Sequence, residues 1–300
     1  MSMTTGLKRL ENPAVRRVAI LRLAHALDLG QKLHDDMHEW WASANPRAEW
    51  IVSDDGRAQE FVINVPQPPV ERWQLRANDV VQNLRSSLDA LARHAAVEFV
   101  GGGRKSDVGF PSALTEEVWT QWRGHNVFPP DVIERFRMFQ PLVTRRVELD
   151  GLRRVSNLEK HDFTVTASCQ PSELSANGHV TLEGILSEAD LESVRLEMVD
   201  PVIRGGRQTV LRIHYPQPIV EQTGEPTEYA LSVWLTVPSF TFPDGWEEES
   251  SAAAPSTGPT TDIKLLQVLD AWRHEVAWAI AYVTGQYSSS TEEPVDGLSL

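Results

Sequence analysis

Apolar residues in the first half of the chain recur every three or four positions, which is the spacing of one face of an α-helix. A first long helix is predicted to start after Asn12-Pro13, a capping residue and a first-turn proline, and to end before Asn45-Pro46. A second long helix is predicted over residues 70–99, because three consecutive glycines stop it. Shorter helical patterns follow at residues 115–123, 130–139 and 147–160. Residues 13–161 are therefore predicted to be mainly helical, behind a flexible tail at residues 1–12.

After residue 162 the apolar period changes to two, which is typical of β-strands with one buried face. Because short turn-rich segments separate the apolar runs, they indicate an antiparallel sheet over residues 162–243. A β-hairpin is also predicted inside the helical region, with Asp54-Asp55-Gly56 at its turn and strands at residues 50–53 and 61–65. The strands of the sheet are predicted at residues 163–169, 179–186, 194–199, 209–215 and 229–237.

The last sixty residues change character twice. Residues 244–261 are acidic and rich in Ser, Pro and Gly, which is typical of a flexible linker. Residues 262–285 carry an apolar stripe at helical spacing, so a final helix is predicted to pack back on the helical region. Residues 286–300 are predicted to be a disordered tail. The pattern as a whole indicates an α+β fold, in which a helical N-terminal half and the C-terminal helix pack with an antiparallel β-sheet.

Composition and charge exclude several classes of function. The chain has 300 residues, with 28 basic and 42 acidic side chains and a formal charge of −14, so bulk binding to nucleic acid is disfavoured. The single cysteine, Cys169, cannot form an internal disulfide. No apolar run approaches the ~20 residues that cross a bilayer, and the N-terminal segment lacks a signal-peptide core. These features predict an acidic, soluble, cytoplasmic protein, and the Arg-, Ala- and Val-rich composition indicates a bacterial or phage origin.

One polar cluster lies on the second long helix, in the segment NLRSSLDAL that begins at Asn83. Arg85 and Asp89 are four residues apart, so they can form an ion pair, and Gln82 shares their helix face. The cluster predicts either a binding site or a network of hydrogen bonds that stabilises the fold. The plainest alternative is a solvated helix face with an exposed ion pair.

A second polar cluster lies at residues 157–162, where the last helix of the helical region gives way to the first strand of the sheet. Lys160 and His161 can hold an anion or transfer a proton, because imidazole titrates near neutral pH. The alternative is that both side chains complement the C-terminal dipole of the helix. Asn157 completes the predicted set of binding or structural polar residues.

Four motifs carry a resemblance to a known family. They are NLRSSLDAL, then Phe110-Pro111, then Phe139-Gln140-Pro141, and then the segment NLEKH at residues 157–161. In this order they resemble an uncharacterised family of bacterial and phage proteins, common in actinobacteria, whose members show HNLRSALDHL, FPI, QPY-like and DKHR-like motifs. The resemblance implies no particular activity. The positions that match the motifs are Asn83, Arg85, Asp89, Asn157, Lys160 and His161, whereas Gln82 and Ala90 stand where the family has histidines, and Glu159 and Asp162 replace its Asp and Arg.

Two further patterns suggest chemistry. Arg154 precedes His161 at the spacing used by HEPN-type ribonucleases, in which the histidine acts on the ribose 2′-hydroxyl and the arginine stabilises phosphate charge. His34 and His38 are four residues apart on the first long helix and could share a metal, although no local third ligand completes that site. No metal and no cofactor are therefore predicted.

The leading hypothesis is a binding or interaction protein whose partner is an unknown protein or small molecule. The alternative is a metal-independent HEPN-like ribonuclease that uses Arg154 and His161, with Arg85 nearby and Lys160 as a further candidate. The sequence leaves open whether the protein is an enzyme and whether it forms a homo-oligomer.

Overall fold

The computed structural model describes residues 4–45, 47–100, 107–146, 148–159, 166–175, 179–182, 192–200, 202–223, 228–236 and 263–286. The chain divides into two compact units. The helical unit comprises Met1–Leu33, Gln74–Val165 and Thr236–Leu300, and the sheet unit comprises His34–Trp73 and Thr166–Leu235. Mixed helices and antiparallel strands confirm the predicted α+β class.

Two long helices, α2 (Pro13–Ala44) and α3 (Val70–Val100), begin and end close to the predicted positions, and each contributes residues to both units. Asn12 caps α2, since its Oδ1 accepts a hydrogen bond from the Ala14 N–H at 3.0 Å. The helices are α1 Thr4–Leu10, α2 Pro13–Ala44, α3 Val70–Val100, α4 Glu116–Thr120, α5 Pro130–Arg137, α6 Pro141–Thr144, α7 Glu148–Glu159 and α8 Leu265–Val283, with a 3₁₀ turn at Arg123–Asn126.

Helix α1 lies inside the segment that the sequence predicts as a flexible tail. It packs against α5, and Leu10 at its C-terminal end is buried. Burial of one apolar side chain supplies about 1.5–3 kcal/mol, which favours order in a segment with no obvious periodicity. A helix of seven residues is too short to show a clear helical repeat, so the spacing of apolar residues does not predict α1.

The core of the helical unit is built from leucines of α3 and from an aromatic cluster. Leu84, Leu88 and Leu91 are buried at helical spacing. The aromatic cluster includes Phe128 stacked on Phe136, with ring centroids 5.3 Å apart. The C-terminal helix α8 packs against α7, where the indole of Trp272 lies beside Gly151.

The strands are β1 Arg47–Val52, β2 Ala58–Val65, β3 Thr166–Ser175, β4 His179–Leu182, β5 Arg195–Met198, β6 Gly206–His214, β7 Ile219–Thr223 and β8 Glu228–Thr236, and a two-residue strand β9, Ile263–Lys264, precedes α8. The pairs β1–β2, β2–β6, β5–β6 and β4–β7 are antiparallel. The β1–β2 hairpin, which the sequence places within the helical region, pairs through β2 with β6, and the order of the four-stranded sheet is β1-β2-β6-β5. A second pair joins β4 and β7, and β3 neighbours β8.

None of the helices within the described residues combines the length and the apolar character needed to cross a bilayer. The predicted linker at residues 244–261 lies outside the described residues, as does the tail from residue 287 onward.

Candidate functional site

Arg85 and Asp89 of α3 form a largely buried ion pair that holds the main chain of Phe110. Arg85 Nη2 lies 3.0 Å from Asp89 Oδ1, and the two side chains are 13% and 19% exposed. The same Nη2 donates to the Phe110 carbonyl at 2.9 Å, and the Phe110 N–H donates to Asp89 Oδ1 at 3.0 Å. This face of α3 is therefore not a solvated surface at Arg85, because both groups bind the polypeptide beside them.

The segment around Phe110 is fixed from its other side as well. Trp122 Nε1 donates to the Gly109 carbonyl at 2.9 Å, and Gln140 Oε1 accepts from the Ala113 N–H at 3.0 Å. A Cβ atom at Gly109 would lie 3.2 Å from Asp89 Oδ1, so glycine permits the close approach of this segment to α3. The motifs around Phe110 and Gln140 thus belong to one hydrogen-bonded framework with Arg85 and Asp89.

One turn before Arg85, a reciprocal pair of hydrogen bonds joins α3 to α7. Gln82 Nε2 donates to the Ser156 carbonyl at 3.0 Å, and the Ser156 hydroxyl donates to Gln82 Oε1 at 3.2 Å. Arg153 lies one turn before Ser156 on α7. We call this meeting of the two helices the arginine seam, which comprises Gln82, Arg85 and Asp89 of α3 and Asp150, Arg153, Arg154 and Ser156 of α7.

On the α7 side of the seam, the buried carboxylate of Asp150 accepts hydrogen bonds from two arginine side chains. Asp150 Oδ1 accepts from Arg153 Nε and Nη2, at 3.1 and 2.8 Å, and Oδ2 accepts from Arg154 Nε at 2.6 Å. Asp150 is 4% exposed, whereas the Arg153 side chain is 37% exposed. Charge-assisted hydrogen bonds of this kind fix both guanidinium groups in place.

The electrostatics of Arg85 reflect burial and the neighbouring charges. Burial lowers the pKa of the Arg85 guanidinium, the Asp89 carboxylate raises it, and the positive charge of Arg153 lowers it. The seam holds three guanidinium groups and two carboxylates in a strongly acidic protein.

Arg85 also has a hydrogen-bonding group that the fold does not use. Its Nη1 is buried and makes no hydrogen bond with any residue that the structure describes. Leaving a buried donor without a partner costs roughly 1–3 kcal/mol, and more when the donor is charged. Buried polar groups in folded proteins are otherwise almost always paired.

The structure places the other predicted site residues differently. Asn83 points along its own helix, where its Nδ2 donates to the Asp79 carbonyl at 2.8 Å. Asn157 is exposed near the end of α7, and Arg154 is bonded to Asp150. Lys160 and His161 lie outside the described residues, so the predicted proximity of Arg85 and His161 stays a prediction.

The two histidines that the sequence offers as metal ligands lie next to each other on α2. The rings of His34 and His38 have centroids 4.3 Å apart, and His34 Nδ1 lies 3.5 Å from Asp35 Oδ1. Across the described part of the chain, no group of three or more His, Cys, Asp or Glu side chains could hold a metal ion.

Three residues of the arginine seam, Asp150, Arg153 and Ser156, are missing from the sequence-based candidates, and for the two charged ones a signal exists. The signal that could have found them is the spacing in LDGLRR, where Asp150 stands three and four residues before two arginines. That pattern also occurs on solvated helices, and only the fold shows that Asp150 is buried.

Comparisons with protein-family models, with curated proteins and with solved structures found no match. The resemblance carried by the four motifs stays a prediction.

Proposed function

We propose that the protein is a binding protein whose ligand docks at the arginine seam. The observation that carries the proposal is the buried Nη1 of Arg85, which has no hydrogen-bond partner among the described residues. A ligand that accepts a hydrogen bond from this atom would remove the cost of burying it. The proposal retains the sequence-based hypothesis of a cytoplasmic protein of bacterial or phage origin, which the single cysteine supports because it leaves no internal disulfide.

A purely structural role accounts for the contacts of Arg85 Nη2 but leaves its buried Nη1 unexplained. Nη2 bonds to Asp89 and to the Phe110 carbonyl, and this atom alone is enough to hold the Phe110 segment. A network that serves stability alone is expected to satisfy all its buried donors. The unused buried donor favours a site that is completed by a ligand.

Binding is favoured over catalysis by the chemistry of the seam. Its described side chains are Arg, Asp, Gln and Ser, and the Ser156 hydroxyl is buried and bonded to Gln82, so no activated nucleophile is present among them. In the alternative ribonuclease, Arg154 would stabilise phosphate charge, but Asp150 already offsets its charge.

Native mass spectrometry tests the proposal. Wild-type protein, incubated with the small-molecule fraction of a cell extract, is expected to carry an adduct that Arg85→Gln and Arg153→Gln lose. Arg72→Gln is the matched control, because Arg72 lies on α3 but pairs with Asp36 outside the seam. An adduct retained equally by all variants, or a bare mass for the wild type, would contradict the proposal.

A further inference from the structure

We propose that the outer edge of strand β5 is an interaction surface for a second copy of this chain, with the two β5 strands paired antiparallel about Leu196. The proposal does not depend on the proposed function, because β5 belongs to the sheet unit and the arginine seam belongs to the helical unit. Three features support it: the place of β5 in its sheet, the directions of its backbone groups, and the side chains that this pairing would bring together.

Strand β5 ends the four-stranded sheet, so one of its edges has no neighbouring strand among the described residues. All four of its side chains are exposed, and two of them are apolar. Leu196 is 66% exposed and Met198 is 52% exposed, although they share a sheet face with the buried Leu211 and Phe61. An exposed edge of this kind is a template for pairing with another strand.

The backbone groups at the outer edge of β5 are directed away from β6. The Val199 N–H donates to the Val210 carbonyl of β6 at 3.0 Å. Because the direction of these groups alternates along an antiparallel strand, Glu197 also turns its N–H and carbonyl toward β6, whereas Leu196 and Met198 turn theirs toward the outer edge. These groups can therefore bond to the same groups of a second antiparallel strand.

Antiparallel pairing about Leu196 brings complementary side chains together. Leu196 lies opposite itself, and Met198 lies opposite Val194 of the second copy. On the other face, Arg195 lies opposite Glu197 of the second copy, and two-fold symmetry repeats this pair. Directly opposed strand residues of opposite charge stabilise the pairing, whereas like charges destabilise it. Pairing about Glu197 would set this carboxylate against itself, so charge favours the register about Leu196.

The two charged residues of β5 suit this role in different ways. Arg195 is exposed and makes no ion pair within the described part of the chain. Glu197 lies 3.5 Å from Arg212 and 2.8 Å from His214 of β6, which keep its carboxylate on the face where Arg195 of the second copy would lie. Repulsion between two copies of net charge −14 is screened over about 8 Å at physiological salt, so it weakens the contact without preventing it.

Sedimentation velocity of the full chain measures the association. Because the shared edge is short, wild-type dimers are expected to dissociate in the micromolar range. Leu196→Lys sets two cations at the two-fold axis, and Arg195→Glu opposes like charges in both cross-strand pairs. Each is expected to raise the dissociation constant at least tenfold. Arg207→Glu is the matched control, because Arg207 is an exposed arginine of β6 that pairs with Glu49 and lies outside the segment facing β5.

A mixture of two variants tests the register. Arg195→Glu and Glu197→Lys each oppose like charges when they pair with themselves, whereas one chain of each kind would form two pairs of opposite charge. The mixture is therefore expected to dimerise at least tenfold more tightly than either variant alone. Circular dichroism checks that both variants are folded, which is expected because the contacts of Glu197 with β6 are half exposed.

Amide hydrogen exchange of the wild type tests the pairing without any substitution. The Leu196 N–H is expected to exchange more slowly as the protein concentration rises, whereas the Glu197 N–H, which is turned toward β6, is expected to change less. Four results would each overturn the proposal: a monomer at every concentration, Leu196 exchange that does not depend on concentration, a dimer that Leu196→Lys and Arg195→Glu leave intact, or folded variants whose mixture does not dimerise.

Discussion

The guanidinium group of Arg85 makes structural contacts through one nitrogen and keeps a second buried nitrogen that makes no hydrogen bond within the described residues. Its ion pair with Asp89 holds both polar groups of the Phe110 main chain, and its Nη1 is left for another partner. The side chain is therefore expected to matter for stability and for binding in different ways. Substitution of its partner Asp89 tests the structural role.

Asp89→Ala is expected to destabilise the protein by about 2–4 kcal/mol, because it leaves Arg85 without its carboxylate and the Phe110 N–H without an acceptor. The free energy of unfolding by urea measures the loss. Asp270→Ala is the control, since the exposed pair of Asp270 with Arg273 is expected to contribute under ~0.5 kcal/mol. Equal losses in the two variants would show that the Asp89 pair does not fix the Phe110 segment.

Two adjacent glycines at the start of β6 have different surroundings. Gly205 has φ +95° and Gly206 has φ +77°, and both values disfavour other residues. A Cβ at Gly205 would lie 2.4 Å from the Cα of Gln67, whereas a Cβ at Gly206 would meet nothing within 4 Å. The entry to this strand therefore depends on the close approach of two backbone segments at Gly205.

Gly206→Ala is expected to cost about 1–2 kcal/mol through backbone strain alone. Gly205→Ala adds a clash with backbone that cannot move aside cheaply, so its loss is expected to be larger by at least ~2 kcal/mol. Urea unfolding of the two variants under the same conditions gives the comparison. A cost at Gly205 no greater than that at Gly206 would contradict the close packing against Gln67.

A charged ladder crosses three strands of the four-stranded sheet. Glu60 of β2 bonds to Arg212 and Thr209 of β6, and these hydrogen bonds lower the pKa of Glu60. On the next strand, hydrogen bonding to His214 lowers the pKa of Glu197, and Arg212 adds to the effect. The ionised form of each carboxylate is the form that the folded sheet binds.

Because the folded pKa of Glu60 is depressed, its stabilisation is complete above the ordinary glutamate value of about 4.3 and is lost as the pH falls through the folded value. Glu60→Gln is expected to lower the free energy of unfolding by about 1 kcal/mol at pH 7, a modest value because the pair is partly exposed. Unfolding at pH 7 and below pH 4 checks this, and the difference from wild type is expected to shrink in acid. A difference that grows in acid would contradict the assignment.

The net charge of −14 determines how strongly the protein attracts or repels other charged molecules. At about 150 mM salt, double-stranded DNA and single-stranded RNA are expected to bind no more tightly than ~10⁻⁴ M, the weak end of non-specific binding. Electrophoretic mobility of labelled oligonucleotides measures this, and the RNA is expected to stay intact. Tight binding that weakens steeply with salt, or cleavage lost in Arg154→Ala and His161→Ala, would favour the ribonuclease alternative instead.

The sequence predicts local features of this protein better than its long-range pairing. The bounds of α2, α3 and α7 follow from periodicity, Asn12-Pro13 and the glycines after residue 100. Pairing of the β1–β2 hairpin with β6 joins residues about 150 positions apart, and no local pattern specifies that partner. The α+β class needs only the change of period, which explains why it is confirmed.

In the candidate site too, the sequence predicts the contact within one helix but not the contacts between elements. The spacing of Arg85 and Asp89 predicts their ion pair, because partners four residues apart share a helix face. The spacing does not reveal the buried position of Asp150, the contact with Phe110 or the unused Nη1, since these depend on how α7 and the Phe110 segment pack on α3.

The central claim is that Arg85 Nη1 binds a ligand, and NMR of its guanidinium group in arginine-labelled protein tests this most directly. On addition of the small-molecule fraction of a cell extract at constant ionic strength, the Arg85 signals are expected to shift and exchange more slowly with water, while those of Arg72 stay unchanged. Unchanged Arg85 signals in folded protein, or equal shifts of both arginines, would contradict the claim.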